Sequence, residues 1–287
     1  MDSEWRSLEP RAEALTRRGF VATSLGVGFT LAAGPVQAQT VIHTDDAGLV
    51  AGAVEIPVPG GALPAYRAMP AAGARFHTVL VVQEIFGVHE HIKDMCRRFA
   101  KLGYFAVAPE FYARIGDVSK ATDMPSVMAI ANKAPAAQVM ADLDSTVAWA
   151  SSTGKADTAH LGITGWCRGG RYVWLYAEHN PELKAAVAWY GPLETPKTEA
   201  DPVNPIERVA ELHCPVLGLY GGADQGIPQQ SIENLKQAIA KAHKQAEFVV
   251  YAGAPHGFNA DYRPSYRRDA AEDGWKRLQG WFKQYGV

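Results

Sequence analysis

Past residue 78 the chain alternates between two hydrophobic rhythms. Short uninterrupted apolar runs are followed by stretches in which apolar residues recur every three or four positions. The first kind reads as a strand buried on both faces, the second as an amphipathic helix. The runs at 78–83, 104–108, 160–164, 185–190, 216–220 and 248–251 are predicted strands. Helices are predicted over 90–102, 136–151, 171–178, 229–242 and 266–285. The first helix gathers Ile92, Met95, Phe99 and Leu102 on one face and stops at Gly103. The second turns Val139, Leu143, Val147 and Trp149 or Ala150 inward. Two further strands, 53–58 and 63–68, flank the turn signal Pro59-Gly60-Gly61. Strands alternating with helices predict an α/β fold, a mostly parallel central sheet with helices on both faces. Residues 111–134 fit neither rhythm. They hold a short helical pattern near 124–132 and read as a shoulder or lid over the sheet.

Composition narrows the class. The 287 residues are 47% hydrophobic and 20% charged, which suits one large soluble domain. The formal net charge is −2, and no basic stripe offers a nucleic-acid footprint. Residues 1–38 are expected to be a signal peptide rather than part of the fold. Thr16-Arg17-Arg18-Gly19-Phe20 is a twin-arginine pattern, a weakly apolar run follows, and Val36-Gln37-Ala38 supplies small residues for cleavage. The expectation is export of the folded precursor by the twin-arginine (Tat) machinery to the periplasm, with no stable membrane insertion afterwards. Residues 39–52 read as a linker, and 53–287 as the folded domain. Of the three cysteines, Cys96 and Cys214 read as core fillers. No Cys/His spacing resembles a zinc site.

The third cysteine lies in Gly165-Trp166-Cys167-Arg168-Gly169-Gly170, between a predicted strand and a predicted helix. That context fits a nucleophile elbow, the sharp strand-to-helix turn of the α/β-hydrolase fold. Glycines remove Cβ atoms that would strike the neighbouring strand and helix. The helix N-terminus favours a thiolate. Ligand sites of open α/β sheets lie at the carboxyl ends of the strands. Glu84, Cys167, Asp224 and His256 all follow predicted strands, and Cys167, Asp224 and His256 run in the chain order nucleophile, acid, histidine. Each has a bland alternative: a buried structural cysteine, a helix cap at Asp224, a surface-loop histidine, a solvated strand end at Glu84.

Together these positions resemble the dienelactone hydrolases, or carboxymethylenebutenolidases, from about Ala53 onward. The resemblance rests on Gln83-Glu84-Ile85-Phe86-Gly87-Val88, Pro109-Glu110-Phe111-Tyr112-Ala113-Arg114, the elbow, Gly222-Ala223-Asp224 and His256-Gly257-Phe258. It implies a Cys167–His256–Asp224 triad, and a Glu84 that holds the resting thiol and helps deprotonate it when substrate enters. A desolvated Glu84 would suit that task, since burial strengthens a carboxylate base. It also implies an oxyanion hole from the backbone N–H groups of Ile85 and Arg168.

The sequence departs from the family where the family's arginines bind a lactone carboxylate. Four residues after His256 stands Ala260, the nearest arginine is Arg263, and 120–134 contain none. Arg168 and Arg114 are the cations left to supply charge. The expectation is a hydrolase acting on a small-molecule ester or lactone through an acyl-thioenzyme, with no metal or organic cofactor and no nucleic-acid partner. The alternative from another class is an exported redox-active thiol or a non-hydrolytic ligand-binding protein on the same fold.

Overall fold

The computed structural model describes residues 41–287. The expected signal peptide and the first two residues of the expected linker lie outside them.

Eight strands form one sheet: β1 (Leu49–Val58), β2 (Gly61–Pro70), β3 (Phe76–Val82), β4 (Phe105–Pro109), β5 (Ala156–Trp166), β6 (Ala185–Trp189), β7 (Val216–Gly221) and β8 (Ala246–Tyr251). Their spatial order is β1-β2-β4-β3-β5-β6-β7-β8. β1 and β2 form an antiparallel hairpin, and β2 also pairs antiparallel with β4. From β4 to β8 all pairing is parallel. The connections are α1 (Glu90–Lys101), α2 (Met124–Ala131), α3 (Ala136–Ser152), α4 (Arg168–His179), α5 (Gln229–Lys241) and α6 (Arg268–Gln284). The mostly parallel sheet with its helices is what the hydrophobic rhythm predicts, and it is the α/β-hydrolase arrangement that the elbow and the resemblance imply.

The apolar runs form strands because the sheet centre excludes water on both faces. Val79 to Val82, Phe105 to Ala108 and Ala185 to Trp189 are wholly buried. A strand there must be apolar throughout, since each polar group without a partner costs free energy. α1 buries Ile92, Met95, Cys96, Phe99 and Ala100. Leu102 does not join that face: it is the residue after the helix and remains exposed. Gly103 then takes φ +95°, which an L-residue rarely adopts.

Some boundaries differ from the sequence reading. β1 starts at Leu49, so 49–52 belong to the sheet rather than to a linker. The ladder with β2 runs from Leu49↔Pro70 to Val58↔Gly61, and backbone pairing extends past the alternating side chains that mark it in sequence. α4 begins at Arg168, three residues before the expected start, because its first turn is built from Gly169 and Gly170 and carries no helical pattern. Among the described residues, no helix is long and apolar enough to cross a membrane.

Candidate active site

β5 ends at Trp166 and α4 starts at Arg168, so the whole reversal falls on Cys167. Cys167 sits at φ 55°, ψ −125°, a region unfavourable for a residue with a Cβ. Its N–H donates to the Trp189 carbonyl at 3.0 Å, and its own carbonyl accepts from Arg171 N–H at 3.2 Å. These bonds and tight packing fix the turn. A Cβ on Gly169 would lie 2.5 Å from the carbonyl oxygens of both Val82 and Gln83. One on Gly170 would lie 2.5 Å from the Trp189 carbonyl oxygen. The start of α4 therefore touches bare backbone at the ends of β3 and β6.

That contact sets the first turn of α4, which holds one expected oxyanion donor, against the end of β3, which leads into the other. Arg168 is the first residue of α4, and its N–H is among those a helix leaves without an intrahelical acceptor. Ile85 follows β3 in the tight turn closed by the Glu84↔Gly87 bridge and is fully buried. Glu110, which sequence reasoning did not single out for a role, pins this turn. Its carboxylate accepts from Val88 N–H at 2.6 Å and Tyr112 N–H at 3.2 Å. Gly87 has φ +75°, and a Cβ there would strike Glu110 Oε2 at 2.5 Å.

The acid and the histidine meet because two loops pack backbone to backbone. A Cβ on Gly221 would lie 2.3 Å from the Ala254 carbonyl oxygen, and Ala223 N–H donates to that oxygen at 3.0 Å. Asp224 Oδ2 then lies 2.7 Å from His256 Nδ1, and Oδ1 accepts from Gly226 N–H at 2.8 Å. Asp224 caps no helix: α5 begins at Gln229 after Pro228, without a side-chain cap. His256 is fully buried, so a surface-loop role is ruled out. Burial alone would lower the imidazole pKa, but the Asp224 carboxylate, by charge and hydrogen bond, and the Cys167 charge raise it well above its ordinary value, while Nε2 makes no hydrogen bond. With Nδ1 on Asp224, Nε2 is the nitrogen left for the thiol.

Glu84 is buried, but not as the strong base that burial alone would make it. Oε2 accepts the Tyr262 hydroxyl at 2.5 Å and lies 3.3 Å from His89 Nε2. Burial pushes its pKa up, yet hydrogen bonding and charge from His89, with charge from His91 and Arg263, hold it down to about 2. Burial lowers the His89 pKa in turn, against the hydrogen bond and charge of Glu84, which raise it. Oε1 is buried with no hydrogen-bond partner.

Sequence reasoning also missed Tyr190, at φ 36°, whose ring packs edge-on against His256 at 5.0 Å. Its hydroxyl and that of Tyr112 are buried without partners. Burial raises both phenols well above the usual range, and the Cys167 charge adds to each. The expected cations separate. Arg114 pairs with Asp142, on α3. Arg168 donates to the Tyr172 hydroxyl at 3.0 Å and to Asn132 Oδ1 at 2.7 Å, which ties the 111–134 shoulder to α4. Arg263 is buried under Gly257, and its charge reaches Glu84, Tyr190 and Tyr262. Cys96 and Cys214 are buried and not disulfide-bonded, with Cys214 pushed up to about 12 by burial. Cys167, Glu84 and His256 are each at most 1% exposed.

The chain is similar to known proteins over most of its length. The family model described as "Dienelactone hydrolase family" matches residues 63–286. A protein of Methylorubrum extorquens named "Putative carboxymethylenebutenolidase" is 61% identical over 100% of this chain and 98% of its own length. One of the same name from Escherichia coli K12 is 51% identical over 93% of this chain and 98% of its own. A crystal structure from Klebsiella pneumoniae, titled as that of a "Putative Dienelactone Hydrolase", superposes with a TM-score of 0.81 at 51% identity. It covers 83% of this chain and 99% of that one.

Proposed function

The chain belongs to the dienelactone hydrolase family, and we propose that this hydrolase cleaves a carboxylic ester or lactone through Cys167. The observation that carries the reading is the His256 imidazole, fixed at Nδ1 by Asp224 and raised in pKa by that carboxylate and by Cys167. An imidazolium beside a thiolate is the resting pair of a cysteine nucleophile. The thiolate attacks the carbonyl carbon. The developing oxyanion is met by the N–H groups of Ile85 and Arg168, which the close contact of Gly169 with β3 supports. His256 gives its proton to the departing alkoxide, leaving a thioester on Cys167. It then takes a proton from water, which attacks the thioester and releases the acid.

Glu84 takes a different part from the one its burial suggests. A carboxylate held near a pKa of about 2 removes protons from a thiol poorly, so deprotonation falls to His256. Glu84 stays as a fixed negative charge with Oε1 open to a donor. The unpartnered hydroxyls of Tyr112 and Tyr190 and the buried Arg263 favour a polar acyl group over a long alkyl chain. Export to the periplasm by the twin-arginine route remains part of the proposal, on the strength of Thr16 to Phe20 and Val36 to Ala38.

Steady-state hydrolysis of p-nitrophenyl esters tests the reading. Cys167→Ala abolishes turnover while circular dichroism and melting stay close to those of the unaltered chain. Equal turnover by that variant refutes the assignment.

A further inference from the structure

At the opposite end of β5 from Cys167, the sheet brings together three side chains that the reaction does not use. β3 and β5 pair in register at His77↔Asp157, but the next pair is Thr78↔Leu161. Thr158, Ala159 and His160 therefore have no counterpart on β3. This bulge swings His160 back beside His77, whose imidazole it stacks against with centroids 4.2 Å apart and planes 6° from parallel. Asp157 Oδ2 lies 3.0 Å from His160 Nδ1. One ligand atom from each of His77, Asp157 and His160 falls within 4.8 Å of the others.

We propose that His77, Asp157 and His160 form a surface site for a borderline transition-metal ion of the Zn(II), Ni(II) or Cu(II) class. Two imidazoles and one carboxylate are the donor set such ions take, whereas Mg(II) and Ca(II) prefer oxygen alone. A tetrahedral ion with bonds of about 2.1 Å needs donors about 3.4 Å apart. The His160–Asp157 pair is already closer than that, and the remaining gaps close by rotation of side chains that are not locked by packing. The His160 side chain is 45% exposed. Ligands from two strands would staple the start of β3 to the bulge of β5 and leave a coordination position to water. Arg75, whose side chain is 61% exposed, lies 3.4 Å from Asp157 and is the cation the metal displaces. His160 lies six residues before Trp166, the last residue of β5 and the neighbour of Cys167, a span of roughly 20 Å at strand rise. The site is therefore separate from the catalytic one and does not rest on the proposed reaction.

The test is calorimetric titration of the chelator-treated full chain with Zn(II) and Ni(II). It is run in a Cys167→Ala background so that the catalytic thiol contributes nothing. One equivalent binds, Mg(II) does not, and His77→Gln or His160→Gln weakens binding at least about 100-fold. Arg75→Ala tightens it by removing the competing cation. In the otherwise unaltered chain the two histidine substitutions leave ester hydrolysis unchanged. Absence of Zn(II) and Ni(II) binding, or the same stoichiometry and affinity in the His77→Gln/His160→Gln double variant, overturns the proposal.

Discussion

Tyr262→Phe removes one oxygen from the wall of the site and leaves the ring. In the unaltered chain that hydroxyl donates to Glu84 Oε2 at 2.5 Å, and both residues are at most 1% exposed. A hydrogen bond to a charged acceptor contributes about 1.5–3 kcal/mol. At about 1.4 kcal/mol per pKa unit, its loss raises the Glu84 pKa by about one to two units. The sign follows from linkage. Glu84 is depressed from 4.5 to about 2 on folding, so its contribution is present above pH 4.5 and is lost as pH falls towards 2. The full depression corresponds to about 3 kcal/mol. Urea unfolding at a series of pH values from 3 to 7 reads this directly. The variant is less stable by about 1.5–3 kcal/mol at pH 7, and the gap narrows as pH drops through the Glu84 window. Turnover at neutral pH is largely kept, because the shifted carboxyl is still ionised there. A gap that is the same at every pH would mean that the hydroxyl matters only for packing. No gap at all would mean that Glu84 is not held by Tyr262.

Asp224→Asn removes the charge that raises His256, so the alkaline limb of the kcat/KM profile moves to lower pH and turnover falls by about 10⁴-fold, as for the carboxylate of a serine triad. An unmoved alkaline limb contradicts the assignment of His256 as the titrating acid. Gly169→Ala forces a methyl against the backbone carbonyl oxygens of Val82 and Gln83, which cannot yield, costing at least about 1–3 kcal/mol by overpacking. It also pushes the Arg168 N–H out of line, so kcat falls by a larger factor than KM rises; wild-type melting and kcat would argue against the close contact.

Much of the fold was legible because the sheet centre permits only apolar runs, and these stand out against the helical rhythm. The elbow was legible for a related reason: Gly165, Gly169 and Gly170 sit where bare backbone meets bare backbone, and only glycine fits. The Asp224–His256 pair could be read from strand ends and chain order, without any distance. What escaped was the surroundings of Glu84. Tyr262 reaches it from 178 residues away, and nothing local in the sequence marks that approach. Burial could be foreseen from the neighbouring Val, Ile and Phe. The donors that reverse its effect on the carboxyl pKa could not. Glu110 was visible inside a family motif, but its hold on Val88 is a cross-loop contact. The His77–His160 stack depends on a bulge that leaves no periodic trace.

The proposed mechanism requires that the acyl group of an ester pass through the sulfur of Cys167. Acid quench during turnover of a p-nitrophenyl ester, followed by intact-mass and peptide mass spectrometry, answers this. A mass gain equal to the acyl group is expected on the peptide carrying Cys167, and none in Cys167→Ala. An adduct on another residue, or turnover with a p-nitrophenolate burst and no adduct on that peptide, contradicts the mechanism.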